Sequence, residues 1–296
     1  VKRRLITIGV PLLCTLLLLN PITNYLVFIY HNSYIPIQDY LFHPVRQDAQ
    51  GPMVWHLHLW FLIPLLVYSV LTPVVGSCLD FIFSKVAFFS RENSKADFFI
   101  AVVFVSVSCL AARTVFYFTL GDLLEGGDFY FVIREILYYF PFYILGVVLF
   151  KSARIFNSFH VFQIKYLLFS IGLYVVSEYL SGKMGFALAS SLRIFSEAFL
   201  AVTLTNFLFA IARKYMSEYR PVLRYLSDDS YSVYLFHYFI IYVIANAIGS
   251  FFGDINLLFM CVVILAYLTA VFIHRYFITG NTVMRFMFNG KLPSRA

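Results

Sequence analysis

The sequence predicts an all-α fold, a polytopic bundle of about eight transmembrane helices with the N- and C-termini in the cytoplasm. Of its 296 residues, 61% are hydrophobic and only 12% are charged, and the mean hydropathy is +0.82. A soluble domain is about 25% charged, so this chain lacks the charge to cover a water-facing surface. No segment alternates polar and apolar residues as the strands of a membrane barrel do, which favours helices.

Each predicted span is an apolar stretch of about 20 residues, which is the length needed to cross a bilayer. The eight stretches are residues 5–26, 55–75, 97–120, 129–150, 161–181, 187–212, 230–249 and 255–275. Pro11, Pro64 and Pro141 fall inside spans, where neighbouring helices can satisfy the carbonyl groups that a proline leaves free. We expect residues 1–296 to form a single membrane-embedded domain.

The distribution of lysine and arginine predicts the orientation. Seventeen of the 22 lie at the two termini or in alternate loops, and only Arg46 and Lys183 lie in the remaining loops. Because these residues collect on the cytoplasmic side of a membrane, both termini are predicted there. The net charge of +7 follows from short basic clusters between apolar blocks. We therefore expect the bilayer as a partner and no nucleic acid.

Six charged residues lie within predicted spans, where an unpaired ionisable group is costly and is by default a functional candidate. They are Arg113, Arg134, Glu135, Glu178, Arg193 and Glu197. Arg193 and Glu197 are four residues apart and share a helix face, whereas the other four need partners on neighbouring helices. Together with His56 and His58 they fall in the outer half of their spans. We expect an outward-facing polar cavity, the alternative being ion pairs that only fix helix register.

A second polar group opens the span at 230–249. Ser227 or Asp228 is expected to cap this helix, which places His237 about 10 Å from the cytoplasmic face. Ser232, Tyr234 and His237 are expected to line one polar stripe.

No metal or bound cofactor is predicted. His56 and His58 are two residues apart and point to different helix faces. The four cysteines lie in or beside apolar runs and lack the spacing of metal ligands. The chain also lacks a phosphate-binding glycine loop and a nucleophile-elbow serine.

Four segments, in this order, resemble motifs of the acyltransferase 3 family of membrane O-acyltransferases. They are RRLITIGVP at 3–11, HLWFL with LLVYS at 58–69, YFPFYILG at 139–146 and YSVYLFH at 231–237. Within that family, the sequence is most similar to the branch that modifies periplasmic glucans. The resemblance extends over essentially the whole chain.

The resemblance implies an enzyme of the bacterial cytoplasmic membrane. Such an enzyme transfers an acetyl or succinyl group from cytoplasmic acyl-CoA, a co-substrate, to a hydroxyl of an extracytoplasmic glycan. Arg4 is expected on the acyl-CoA side, and the candidates for catalysis are His58, His237 and Glu197. The expected substrate-binding residues are Arg113, Arg134, Glu135, Glu178, Arg193, His56 and Tyr234.

Two departures from the family pattern accompany the resemblance. The first span corresponds to the family's third helix, so the family's first two helices and its catalytic histidine do not match any part of this sequence. Either they are expected upstream of Val1, or this member has lost the usual base. Thr7 also stands where the family pattern has a second arginine after Arg4. Two other functions therefore stay open: a transporter or flippase of a polar or glycan substrate, and a truncated scaffold without catalytic activity.

Overall fold

The computed structural model describes residues 1–42, 49–85, 96–127, 129–217 and 221–291. Within these ranges the regular secondary structure is helical and no strand occurs. The chain divides into two compact units. Unit 1 comprises Val1–Ser69 with Pro221–Ala296, and unit 2 comprises Val70–Arg220. The prediction of one domain stays a prediction.

The described residues form eleven helices. These are α1 (Lys2–His31), α2 (Ile37–Phe42), α3 (Leu57–Lys85), α4 (Asp97–Leu124), α5 (Tyr130–Lys151), α6 (Ala153–His160), α7 (Ile164–Ser181), α8 (Phe186–Tyr215), α9 (Pro221–Ile248), α10 (Ile255–Ile278) and α11 (Thr282–Asn289). Seven of them contain a stretch long and apolar enough to cross a membrane, and α6 with α7, bent by 79°, gives an eighth if the pair is one span. The all-helical class and the predicted series of spans are confirmed, whereas the orientation of the termini stays a prediction.

Helix α1 accommodates two prolines by changing its helix type locally. The stretches Leu5–Gly9 and Thr15–Leu19 are π-helical, and each ends two residues before a proline, Pro11 or Pro21. A proline has no N–H to bind the carbonyl one turn earlier, and a wider turn lets that carbonyl find another donor. The helix therefore stays continuous past both prolines.

The outward faces of the spans carry large apolar side chains. Leu17, Phe118 and Ile255, from three different spans, are 74–78% exposed. So much exposed apolar surface marks contact with something other than water, and on helices of spanning length that something is lipid. The chain is an integral membrane protein.

Unit 1 packs around α9, which contacts α1 and α10, while α11 packs against the Val10–Cys14 part of α1. Leu12, Leu59, Leu235 and Phe288 are buried in its core. The end of α11 approaches α1 so closely that a Cβ at Gly290 would lie 2.4 Å from the Cα of Thr7.

Unit 2 packs α4 against α5 and α8, and α7 against α8. Its core contains Val102, Val105 and Cys109 of α4 and Ala198 and Val202 of α8, all buried. The same core contains the buried aromatic side chains of Phe98, Phe159 and Phe199. This packing brings the charged residues of four helices into one unit.

The predicted start of α9 is wrong. The helix begins at Pro221, so Ser227 and Asp228 lie inside it instead of capping it. Proline suits a first turn because the N–H it lacks has no partner there. His237 therefore lies about 24 Å from the start of α9 and about 17 Å from its end at Ile248, at 1.5 Å per residue.

Candidate functional site

In unit 1 a non-helical segment lies at membrane depth. Residues 49–56 precede α3 without forming a helix, and Asn20 Nδ2 donates a hydrogen bond of 2.9 Å to the carbonyl of Trp55. Asn20 is buried and lies about 17 Å from the end of α1 at His31. Such backbone is tolerated inside a membrane only where protein buries it or a watery cavity adjoins it. Only its last residue, His56, is buried, whereas Val54 and Trp55 are exposed, so the His56 end of the segment is the candidate for the lining of a site.

The backbone at the end of this segment is strained. Leu57 has φ +46°, a left-handed conformation that no other described non-glycine residue adopts, and it costs a leucine roughly 1–2 kcal/mol. The His56 ring donates through Nδ1 to the carbonyl of Leu57, 3.0 Å away, because a carbonyl can only accept. The turn leads into the 3₁₀ start of α3, Leu57–Phe61, which carries His58. Strain of this kind is retained where surrounding structure fixes it, often at functional sites.

His58 lies against three side chains of α9. Its ring centroid is 4.9 Å from that of His237, 5.0 Å from that of Tyr238 and 5.7 Å from that of Tyr234. The Tyr234 hydroxyl donates to the carbonyl of His58 at 2.8 Å. The expectation that placed His58 near the outer face and His237 near the inner one is therefore wrong. The two histidines meet because α9 begins earlier than predicted and residues 49–56 run inward.

The hydrogen bonds of the two histidines differ. His237 donates through Nδ1 to the carbonyls of Tyr234 and Val233, at 2.8 and 3.2 Å, so its Nε2 is left as an acceptor. Both nitrogens of His58 are buried and neither makes a hydrogen bond of normal geometry, although the carbonyls of Tyr234 and Leu235 lie close. A buried polar atom without a partner is unusual and requires an explanation. A hydroxyl group of a bound substrate would supply the missing partner.

In unit 2 the six intramembrane charges form two groups of three. In the first, which we call the α4–α5 triad, Glu135 Oε1 accepts from Arg113 Nη2 at 3.2 Å and from Arg134 Nη2 at 2.8 Å.

The second is the α7–α8 triad, in which Arg193 Nε lies 2.8 Å from Glu197 and 3.2 Å from Glu178. The predicted pairing of Arg193 with Glu197 along one helix is confirmed, as is the ion pair between neighbouring helices for Glu178 with Arg193.

An ion pair between neighbouring helices is likewise confirmed for Arg113 with Glu135. The expectation that Arg134 needs a partner on a neighbouring helix is wrong, because it pairs with Glu135 on its own helix.

The two triads differ in burial and in charge. The Glu135 side chain is 6% exposed, whereas Arg193 is 54% exposed. Glu197 is the partner of an arginine, which makes it a poorer candidate for a base than His58. The outward-facing polar cavity expected from the sequence includes His56 and His58, which belong to unit 1. That cavity stays a prediction.

Sequence reasoning missed a buried polar network at one end of α9. His274 Nε2 lies 3.2 Å from Asp229 Oδ1, and His274 Nδ1 lies 2.7 Å from Ser232 Oγ. Ser232 also bonds Asn289 Oδ1 at 3.0 Å, and Arg275 lies 3.3 Å from Asp229. The sequence offers one signal, His274 next to Arg275 at the end of the last predicted span, but the charge distribution counts Arg275 with the basic residues of the cytoplasmic C-terminus.

The serine, histidine and aspartate of this network have the spacing of a nucleophilic triad. Ser232, however, has no exposed surface, and its hydroxyl already bonds both His274 and Asn289. We therefore assign the network to joining α9, α10 and α11. The expected polar stripe of Ser232, Tyr234 and His237 is wrong, because Ser232 contacts this network while Tyr234 and His237 contact His58.

Two further expectations stay predictions. Arg4 is exposed near the start of α1, and its role beside acyl-CoA stays a prediction. Within the described part of the chain, no group of three or more histidine, cysteine, aspartate or glutamate residues could hold a metal ion.

These features define an integral membrane protein with polar clusters buried among its spans and a strained histidine segment at membrane depth. The model of the acyltransferase 3 family, described as an acyltransferase domain, matches residues 1–275, and the chain belongs to this family. The resemblance seen in the sequence motifs is thereby confirmed, and the protein is a membrane protein of the acyltransferase class.

The chain is also similar to curated proteins named glucans biosynthesis protein C. Those of Escherichia coli O1:K1 / APEC, O45:K1 (strain S88 / ExPEC) and strain UTI89 / UPEC are each 23% identical to it over 260 residues. Each alignment covers 82% of this chain and 64% of the relative, so the chain spans a little under two thirds of the curated relatives it matches. No solved structure matches the chain.

Proposed function

We propose that this chain forms the membrane-embedded part of an enzyme that transfers an acetyl or succinyl group from cytoplasmic acyl-CoA to a hydroxyl of a carbohydrate outside the membrane. Membership of the acyltransferase 3 family supports the reaction class, and the similarity to glucans biosynthesis proteins supports a glycan acceptor. The orientation inferred from lysine and arginine puts Arg4 on the acyl-CoA side.

The observation that carries the proposal is the site around His58. The reaction needs a base that takes the proton of the attacking hydroxyl. His58 Nδ1 and Nε2 are buried and make no hydrogen bond of normal geometry, and the neighbouring His237 has its Nδ1–H committed to the backbone. We assign His58 to accept the hydroxyl proton, while Tyr234 and Tyr238 hold its position.

The proposed reaction is balanced and needs no resident cofactor. The acceptor oxygen attacks the thioester carbonyl, the C–S bond breaks, and CoA leaves as a thiolate. His58 receives the proton of the acceptor hydroxyl and returns it to the thiolate, which becomes the free thiol. The two triads of unit 2 are proposed to bind the acceptor or the acyl group, because charged groups placed within a span favour polar ligands.

The transporter alternative has less support. It predicts matched discontinuous helices in two repeats, and the described chain has one sharply bent pair, α6 with α7. The scaffold alternative predicts folded protein without turnover.

The test is transfer of label from radioactive acetyl-CoA and succinyl-CoA to envelope glycans. Membranes containing this chain are compared with membranes containing the longest reading frame that includes it, and with membranes containing neither. Ester-linked label on glycan in either of the first two supports the proposal. Absence of label from both, with folded protein in the membrane, contradicts it.

A further inference from the structure

The α4–α5 triad has one more positive charge than negative. Glu135 is its only carboxylate, and both Arg113 and Arg134 bond the same oxygen, Oε1. The surplus is local, because the α7–α8 triad carries the opposite surplus on Glu178 and Glu197. No ion pair joins the two triads within the described residues.

Glu135 does not bind all the N–H donors of Arg113 and Arg134. Arg113 Nε is buried and makes no hydrogen bond, and its guanidinium lies 4.7 Å from the centre of the Tyr138 ring, which covers one face. Arg134 uses Nε and Nη2 on Glu135. A guanidinium has five N–H donors, so both arginines retain donors. The two side chains are 23% and 30% exposed, which makes them reachable.

We propose that Arg113 and Arg134 together bind an anionic oxygen group, a carboxylate or a phosphate, of one of the two substrates. The surplus cation within a span is costly without a counter-charge, and guanidinium groups match the geometry of carboxylates and phosphates. The anion comes from one of two sources: a terminal carboxylate on the transferred acyl group, or an acidic substituent on the acceptor. This inference rests on the proposed function.

The first experiment measures binding without catalysis. Thermal unfolding of the detergent-purified chain is followed in sodium succinate, sodium phosphate and sodium chloride at equal ionic strength. A ligand of the native state raises the midpoint, by roughly 2–4 °C for each kcal/mol of binding. We expect a rise in succinate or phosphate over chloride, abolished in Arg113→Gln and in Arg134→Gln.

The matched control is Lys183→Gln. Lys183 is a cation of the same unit, 3.7 Å from the centre of the Tyr179 ring, and its removal should leave the anion effect intact. Each arginine variant leaves Glu135 paired with the other arginine, so both should fold. Equal midpoints in all three salts, or an anion effect that persists in both arginine variants, would overturn the inference.

The second experiment distinguishes the sources. Transfer rates are compared for acetyl-CoA and succinyl-CoA, each with a neutral and an acidic glycan acceptor. Loss of a charged hydrogen bond reduces transfer by roughly 10- to 100-fold. If the acyl carboxylate is bound, Arg113→Gln impairs only succinyl transfer. If the acceptor carries the anion, both donors lose activity with the acidic glycan alone.

The outcomes of the two proposals remain distinguishable. A uniform loss over all four combinations would contradict recognition of an acyl carboxylate or an acceptor anion while leaving the transferase proposal intact. Absence of transfer by the unaltered protein would contradict the proposed function, whereas the unfolding measurement would still test the anion site.

Discussion

Replacement of Glu135 by glutamine should destabilise unit 2 more than replacement of either arginine bonded to it. Glu135 is 5% exposed and receives hydrogen bonds from Arg113 and Arg134. Glu135→Gln leaves two neighbouring guanidinium groups without a counter-ion inside a span. Arg113→Gln, in contrast, leaves the carboxylate bonded to Arg134.

The expected magnitude follows from the burial of the three groups. Removing one partner of a buried ion pair costs about 3–5 kcal/mol. The arginine side chains are 23% and 30% exposed, so water screens part of this cost and the lower half of the range applies, about 3–4 kcal/mol. Arg113→Gln should cost about 1.5–2 kcal/mol, the low end of the range for a charged hydrogen bond, because Arg113 is 23% exposed.

The assay is thermal unfolding of the purified protein in detergent. The midpoint should fall by roughly 6–16 °C in Glu135→Gln and by about half as much in Arg113→Gln. Glu125→Gln is the control, because Glu125 is exposed in the turn after α4 and its loss should be nearly neutral. The reasoning is refuted if Glu135→Gln has the same unfolding midpoint as the unaltered protein, or if Arg113→Gln is less stable than Glu135→Gln.

Two further predictions concern α11 and the buried network that joins it to α9 and α10. Gly290→Ala should lower the unfolding midpoint and expose α11 to protease, because φ is +58° and a Cβ would lie 2.4 Å from the Cα of Thr7. The control is Gly172→Ala, which should do neither, since no atom lies within 4 Å of a Cβ at Gly172. Equal behaviour of the two variants would contradict the packing of α11 against α1. Ser232→Ala should cost about 1–3 kcal/mol by leaving buried partners unsatisfied, with transfer per folded molecule retained. Ser230→Ala is its control, and a selective loss of transfer in Ser232→Ala would show that the network takes part in the reaction.

The sequence predicted the spans because their signal is local. Twenty consecutive apolar residues identify a membrane helix without knowledge of its neighbours. The pairing of Arg193 with Glu197 was likewise predictable, since spacing of four along one helix determines proximity. The sequence also indicates that the charged residues of α4 and α5 need partners. That Arg113 and Arg134 share the Glu135 carboxylate depends on how the helices pack.

The histidine site was only partly predictable. His58, His237 and Tyr234 were identified as candidates, yet they were placed at different depths. The error came from helix boundaries: apolar composition locates the membrane-embedded part of α9, whereas the helix continues beyond it to Pro221. The left-handed Leu57 carries no sequence signal, because leucine adopts that conformation only when surrounding structure enforces it.

The central claim is that His58 accepts the proton of the acceptor hydroxyl, and its most direct test is the rate of acyl transfer by His58→Gln. His160→Gln is the matched control, since His160 stacks on Phe209 in unit 2 and has no assigned role. General-base catalysis contributes about 10²- to 10⁴-fold, so transfer per folded molecule should fall at least 100-fold in His58→Gln and stay within a few-fold of normal in His160→Gln. Transfer by His58→Gln at the rate of His160→Gln, in this chain or in the longest reading frame that contains it, would contradict the claim and assign the base to another residue.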